Sequence, residues 1–243
     1  GGVVGGGGGS PLAGLVAGFQ NTVAGGGSIW TLPALVWVTG SPGVANGTNR
    51  IAILLQNVIA VAGFQTGRAV PWRLSVRLAL PAVLGGVGGA MLAARLDPGP
   101  MRVALAAGVV FVAVTALVKP PRTPRLKSPW SEIVFFGVGL YLGFLQVGVG
   151  FLLLACLAGG LGLDLVRANA AKVLIVLIVT VPTLAVFGWT GQLWWREGLV
   201  LAAGNMGGAW IAARLSLKKP GAWIRWVIIL GAAAAVVSLF VKG

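Results

Sequence analysis

The sequence predicts an all-α integral membrane protein: a polytopic helical bundle of two homologous, inverted repeats, each starting with a broken or re-entrant hydrophobic segment. Three observations carry that expectation. The 243 residues are 57% hydrophobic and 9% charged, whereas a soluble domain carries about a quarter charged residues. Asp, Glu, Lys and Arg are absent from residues 1–49, 51–67, 78–94, 103–118, 133–163, 173–195, 198–213 and 226–241, and a membrane span takes about 20 mainly apolar residues. The chain also repeats itself. Gly85–Leu96 (GGVGGAMLAARL) and Gly204–Leu215 (GNMGGAWIAARL) agree at eight of twelve positions, the mark of a duplicated unit.

Taken in order, Gly1 to Ser10 reads as a linker or disordered terminus, and residues 11–118 form the first transmembrane half. Residues 12–24 and 28–39 are each too short to span at about 1.5 Å per residue. Gly25-Gly26-Gly27 between them should unwind, since each glycine costs about 1 kcal/mol in a helix interior. A re-entrant hairpin and a discontinuous helix both fit. Either leaves backbone exposed at membrane depth, which is tolerated only beside protein or a watery cavity. Ser41-Pro42-Gly43 is a turn, residues 44–66 and 74–95 are full spans, and 101–118 closes the half.

Residues 119–130 form a basic, proline-rich linker expected on the cytoplasmic face, and 131–243 repeat the plan. There 131–147 and 149–162 are the second broken pair, 164–188 the matching span, and 195–215 and 220–241 the last two. If each half crosses the membrane three times, loops 67–73, 119–127 and 214–219 share one face with nine Lys and Arg. The positive-inside bias then favours inverted copies; if each half crosses four times, the copies are parallel and the basic residues split eight against five.

Composition excludes several functions. The net charge is +14, yet the basic residues stand singly or in short groups between apolar runs, so nucleic acid is excluded as a partner. Cys156 is the single cysteine and histidine is absent, so no Cys/His metal cluster can form and no cofactor is expected. Asp97, Glu132, Asp164 and Glu197 fall near loops or span ends, which leaves no mid-span carboxylate for a proton relay. With no base placed beside Ser28, an intramembrane hydrolase is not expected either.

The chemistry concentrates at the breaks. Two interrupted hydrophobic segments at corresponding positions of two halves point to a transporter's binding site. In the first, Gly25, Gly26, Gly27 and Ser28 would turn backbone N–H groups and a half-helix N-terminus toward an anion; a close helix crossing is the competing explanation. The second retains Gly148 and Gly150. Asn46, Thr48 and Asn49 align with Asn169, Ala171 and Lys172, as ligands at the repeat interface or as caps and interhelical bonds. Lys172 precedes 23 charge-free residues, an expensive place for an amine. Arg50 is expected at the membrane interface. Gln20, Asn21 and Gln146 precede the breaks, where they line the path or satisfy freed backbone. Gln56, Asn57 and Asn205 are expected as interhelical bonds.

The pattern Gly-Phe-x4-Ala-Gly-Gly-Gly-Ser-x4-Pro from Gly18, followed by Val44-Ala-Asn-Gly-Thr-Asn49, resembles the signature of the sulfite exporter TauE/SafE family (the toluene sulfonate uptake permease superfamily). Gly143-Phe144 through Gly150, Ala168 to Lys172 and Ala212-Ala213-Arg214-Leu215 extend the resemblance to the second half. It implies a multi-pass transporter in the prokaryotic inner membrane, moving sulfite, organosulfonates such as sulfoacetate, thiosulfate or similar organic anions by alternating access. By position, Gly25 to Ser28 with Asn46, Thr48 and Asn49 form one half of the site. Gly148, Gly150, Asn169 and Lys172 form the other, with Gln146 beside them. Repeat two departs from the pattern: Phe151 and Leu152 follow Gly150 where repeat one has Ser28 and Ile29. The halves are therefore not expected to bind substrate equally.

The expected partners are a small anionic substrate and the lipid bilayer, with a homodimer left open. An inside-negative potential disfavours anion uptake, so uncoupled transport should run outward as export. The alternative from another class is a passive anion or small-solute channel with Asn46 and Asn169 as a paired filter.

Overall fold

The structure is a computed structural model that describes residues 11–117 and 126–218 together with Val227. The expected N-terminal linker, most of the central linker and, apart from Val227, the last span, 220–241, lie outside the described residues. Within them every regular element is helical: α1 (Pro11–Val23), α2 (Ser28–Thr39), α3 (Pro42–Gln65), α4 (Trp72–Ala94), α5 (Pro98–Leu117), α6 (Trp130–Phe144), α7 (Val149–Leu154, continued by a π-helical turn Ala155–Gly160), α8 (Leu165–Trp189) and α9 (Trp195–Lys218).

Local chemistry sets the boundaries. Ser41 accepts from the Val44 amide at 3.4 Å to cap α3, with Pro42 at its first position. Asp164 caps α8 by accepting from the amides of Val166 and Arg167, both at 3.0 Å. The glycine triplet ends α1 as its sequence requires, and the chain then reverses. The start of α2 returns beside the end of α1, where Gly27 lies against Ala17 and Asn21. The Trp30 indole also donates to Gln20 Oε1 at 2.9 Å.

Small residues decide which helices touch. A Cβ on Gly85 or Gly89 of α4 would strike the backbone of α6 at Phe136 or Leu140, and one on Gly143 of α6 would strike Gly86. On the other side Gly208 of α9 lies against Leu15 and Phe19 of α1, and Gly18 against Asn205. The two similar glycine-rich stretches are thus a pair of grooves. Each receives a short helix at backbone contact distance, where close approach of small residues favours association.

The packing divides the bundle into α1, α2, α3 and α9 on one side and α4, α6, α7 and α8 on the other, joined chiefly by α3 against α8. That central pair runs antiparallel. Gly47 faces Phe187 and Arg50 reaches Thr183. Ile53 then packs with Val176 and Val179, and Ala60 and Phe64 with Ala170 and Val173. Among the described residues α4 and α8 are long and apolar enough to cross a membrane. Trp37, Leu80, Leu84, Trp130, Val181 and Trp189 are exposed on the outer surface, as suits a lipid-facing wall.

Candidate functional site

Two of the short helices begin at the middle of the bundle without a side-chain cap. Gly27 precedes α2, and Gly148 precedes α7 in the left-handed region at φ 61°. A helix start without capping leaves its first N–H groups open and carries a partial positive charge. The two breaks meet there. A Cβ on Gly25 (φ 93°) would collide with the backbone of Gly150, and one on Gly150 with Gly25, so a side chain at either position would drive the breaks apart.

At this meeting point lies a cavity of about 20 Å³, room for about one water molecule. Asn21, Gly25 and Ser28 line it from the first break, and Gln146, Val149 and Gly150 from the second. The α3–α8 pair completes it with Ile53, Gln56, Asn57, Lys172 and Val176. Gln56 Oε1 accepts from Asn21 Nδ2 and Asn205 Nδ2, both at 3.3 Å. Asn57 Nδ2 donates to the Ile53 carbonyl at 2.7 Å. Gln146 Nε2 donates to Thr180 Oγ1 at 3.0 Å, and its buried Oε1 has no partner among the described residues.

Lys172, 2% exposed, brings a positive charge to the cavity wall. Its ammonium donates to the carbonyls of Asn21 (3.1 Å) and Thr22 (2.7 Å) and to Asn169 Oδ1 (2.7 Å). An ammonium has three donors, so all of them are engaged. Arg50 is enclosed by protein. It is 0% exposed, and stacks over the Phe187 ring at 4.6 Å. Its guanidinium donates to the carbonyls of Leu142 (3.2 Å) and Gly143 (2.5 Å) and to Thr183 Oγ1 (3.1 Å). The carbonyl end of α6 supplies what a loop at the membrane surface would otherwise supply: acceptors for a cation.

Of the twelve sequence candidates, Gly25, Ser28, Gln146, Gly150 and Lys172 line the cavity. The others stand behind it. Asn49 donates to Ser28 Oγ at 3.4 Å and accepts from Thr31 at 2.8 Å. Asn46 donates to the Phe144 carbonyl at 2.9 Å, while Thr48 accepts from the Trp194 amide at 3.0 Å. Asn169 holds Lys172, Gly26 lies against Phe151, and Gly27 and Gly148 shape the turns. Gln56 and Asn57 are additions to the wall, though Gln56 also makes the interhelical bonds expected of it. A second cavity of about 470 Å³ between α2 and α5 is mostly apolar, shares Ser28, and includes Arg102 and Val147.

Residues 11–239 match the family described as "TauE: Sulfite exporter TauE/SafE". The chain belongs to this family. A Haemophilus influenzae protein named "Probable membrane transporter protein" is 30% identical over 224 residues, covering 89% of this chain and 88% of its own. "Probable membrane transporter protein YfcA" of Escherichia coli K12 is 26% identical over 225 residues, 89% of this chain and 82% of its own. "Probable membrane transporter protein ORF9" of a Sinorhizobium species is 24% identical over 235 residues, 94% and 90%. No solved structure matches. A TauE/SafE protein with these relatives is a membrane transporter, and none of their names indicates a catalytic activity.

Proposed function

We propose that this protein is a secondary transporter of small sulfur-containing or organic anions, such as sulfite, sulfoacetate or thiosulfate, working by alternating access in a prokaryotic inner membrane. The observation that carries this reading is the convergence of both breaks on one cavity beside a buried lysine. Two uncapped helix starts and Lys172 put positive potential there, and Ser28, Asn21, Gln56 and Gln146 offer hydrogen bonds. In low dielectric such groups replace the hydration shell of an oxyanion. A cavity with room for one water is smaller than the anion it would hold, which suits a conformation closed to both sides. The 470 Å³ cavity reaches Ser28 from the α2–α5 side and offers a route to the centre, with Arg102 attracting anions.

Inverted repeats are part of the same proposal. The corresponding spans α3 and α8 run antiparallel, and each glycine-rich groove takes the broken helix of the other half, α1 in α9 and α6 in α4. Both features are those of units related by an axis in the membrane plane. The moving bodies are then the two packing groups, with α4 and α9 exchanged between the sequence halves.

The test is binding to purified protein across sulfite, sulfoacetate, methanesulfonate, thiosulfate, sulfate and short carboxylates. Wild type is compared with Lys172→Ala and Ser28→Ala. A sulfur oxyanion bound selectively and weakened at least about tenfold by each change, roughly 1.4 kcal/mol, is the expected result. Binding of every anion tested untouched by both changes would move the site away from the breaks.

A further inference from the structure

Arg50 and Lys172 are the charged residues buried among the described residues, and neither pairs with an acid. The four acids stand elsewhere: Glu132 faces Arg77 at 3.4 Å, Asp164 caps α8, and Asp97 and Glu197 lie at the starts of α5 and α9. A buried cation is costly without a partner. Each of these two instead grips the carbonyl end of a short broken helix, the negative end of its dipole. Lys172 on α8 holds Asn21 and Thr22 at the end of α1. Arg50 on α3 holds Leu142 and Gly143 at the end of α6.

The two grips have a common geometry. Each ties one packing group to the other, since α1 and α3 belong to one and α6 and α8 to the other. They lie at different levels of the antiparallel α3–α8 pair. Arg50 is beside Thr183 and Phe187 at one end, and Lys172 is a turn before Val176, toward the end where Ala170 meets Phe64. The cavity lies between those levels.

We propose that Arg50 is a positioning residue for transport, and that Arg50 and Lys172 are two latches, one for each side of the cavity, released in turn. The inference rests on the transport reading above. Separating the packing groups on one side requires breaking the Arg50–α6 bonds, and on the other the Lys172–α1 bonds. The latches respond differently to an anion. All three Lys172 donors are engaged, so an anion in the cavity competes with the Asn21 and Thr22 carbonyls and loosens α1. Arg50 keeps its Nε without a partner, is not part of the cavity wall, and holds α6 while that happens. The loaded carrier therefore opens first at the α1 end.

The experiment is hydrogen–deuterium exchange on the full chain in lipid nanodiscs, following segments 19–27 and 141–148, alongside sulfite and methanesulfonate flux in proteoliposomes. Arg50→Gln should raise exchange over 141–148 by about tenfold or more with 19–27 unchanged, and Lys172→Gln should do the reverse. Sulfite should raise exchange over 19–27 in wild type and have no effect there in Lys172→Gln. Arg50→Lys, which keeps the charge and removes the fork, should restore protection of 141–148 in part and retain flux. Both segments loosening together in either variant would show a general loss of packing and overturn the latches. So would an unchanged 141–148 in Arg50→Gln. If the wild type moves neither anion, the transport reading fails and the latches fail with it. Flux without segment-specific loosening removes the latches alone.

Discussion

At the first break the chain leaves α1 at Val23, crosses three glycines and restarts at Ser28, whose hydroxyl is tied through Asn49 to α3. At the second it leaves α6 at Phe144, passes Gln146 and Gly148, and restarts at Val149 with an apolar first turn. Both ends are held by a cation from the opposite packing group. At the second, Asn46 adds a third grip on the Phe144 carbonyl, and the Tyr141 hydroxyl donates to Val147 at 2.8 Å. The first break is thus richer in groups that can turn to a guest, and the second is more firmly braced. On the transport reading proposed above, the first break would be the binding turn and the second its support.

The largest effect on that comparison should come from filling the contact between the breaks. Gly150→Ala places a Cβ on Gly25 with backbone on both sides, so neither can yield by a rotamer change. Overpacking of this kind costs about 1–3 kcal/mol, and transport in proteoliposomes should fall to background. The same change at Gly137, which has open space around it, should leave transport near wild type. Equal losses at both positions would mean that helix content, not the meeting of the breaks, controls activity.

Lys172→Met comes next. It leaves two carbonyls and the Asn169 side chain without their donor and removes the charge at the cavity wall. Hydrogen bonds to charged groups are worth about 1.5–3 kcal/mol each, so anion affinity measured by calorimetry should fall by more than about tenfold, together with thermal stability. Gln146→Leu should act more selectively. It removes the cavity amide and its bond to Thr180, lowering affinity by about tenfold for one lost bond. Its stability should change less than that of Lys172→Met. If Gln146→Leu has no effect on affinity and Ser28→Ala has a large one, the guest is held by the first break alone.

Much of this was legible in the sequence because it depends on runs and repeats. Helix existence follows from charge-free stretches, the breaks from glycine clusters, and the α4 and α9 grooves from a motif written twice. The site was legible only in part. Lys172 at the cavity wall is legible because an amine before 23 charge-free residues demands an explanation. The contacts of Arg50 are not legible, because nothing local shows that the end of α6, 92 residues away, supplies its acceptors. Its place one residue from the position aligned with Lys172 was the available signal. Asn46 and Thr48 bond to the Phe144 carbonyl and the Trp194 amide, and sequence cannot separate such bracing from direct binding, because both call for the same amides and hydroxyls.

The smallest effect is expected at Thr48, and it tests where the site ends. Thr48 is buried one residue from Asn49, yet its hydroxyl faces the segment before α9 and accepts from the Trp194 amide at 3.0 Å. Thr48→Val keeps the shape and removes that acceptor, at a cost of about 1 kcal/mol and a melting temperature lower by about 2–4 °C. Because the residue is not part of the cavity wall, anion affinity should stay within about twofold, well under 1 kcal/mol. Gln146→Leu should show the opposite balance, with the larger change in affinity and the smaller in stability. An affinity loss at Thr48 exceeding that at Gln146 would place the substrate at the polar start of α3, beside the loop to α9. The cavity between the breaks would then be a packing defect rather than a binding site.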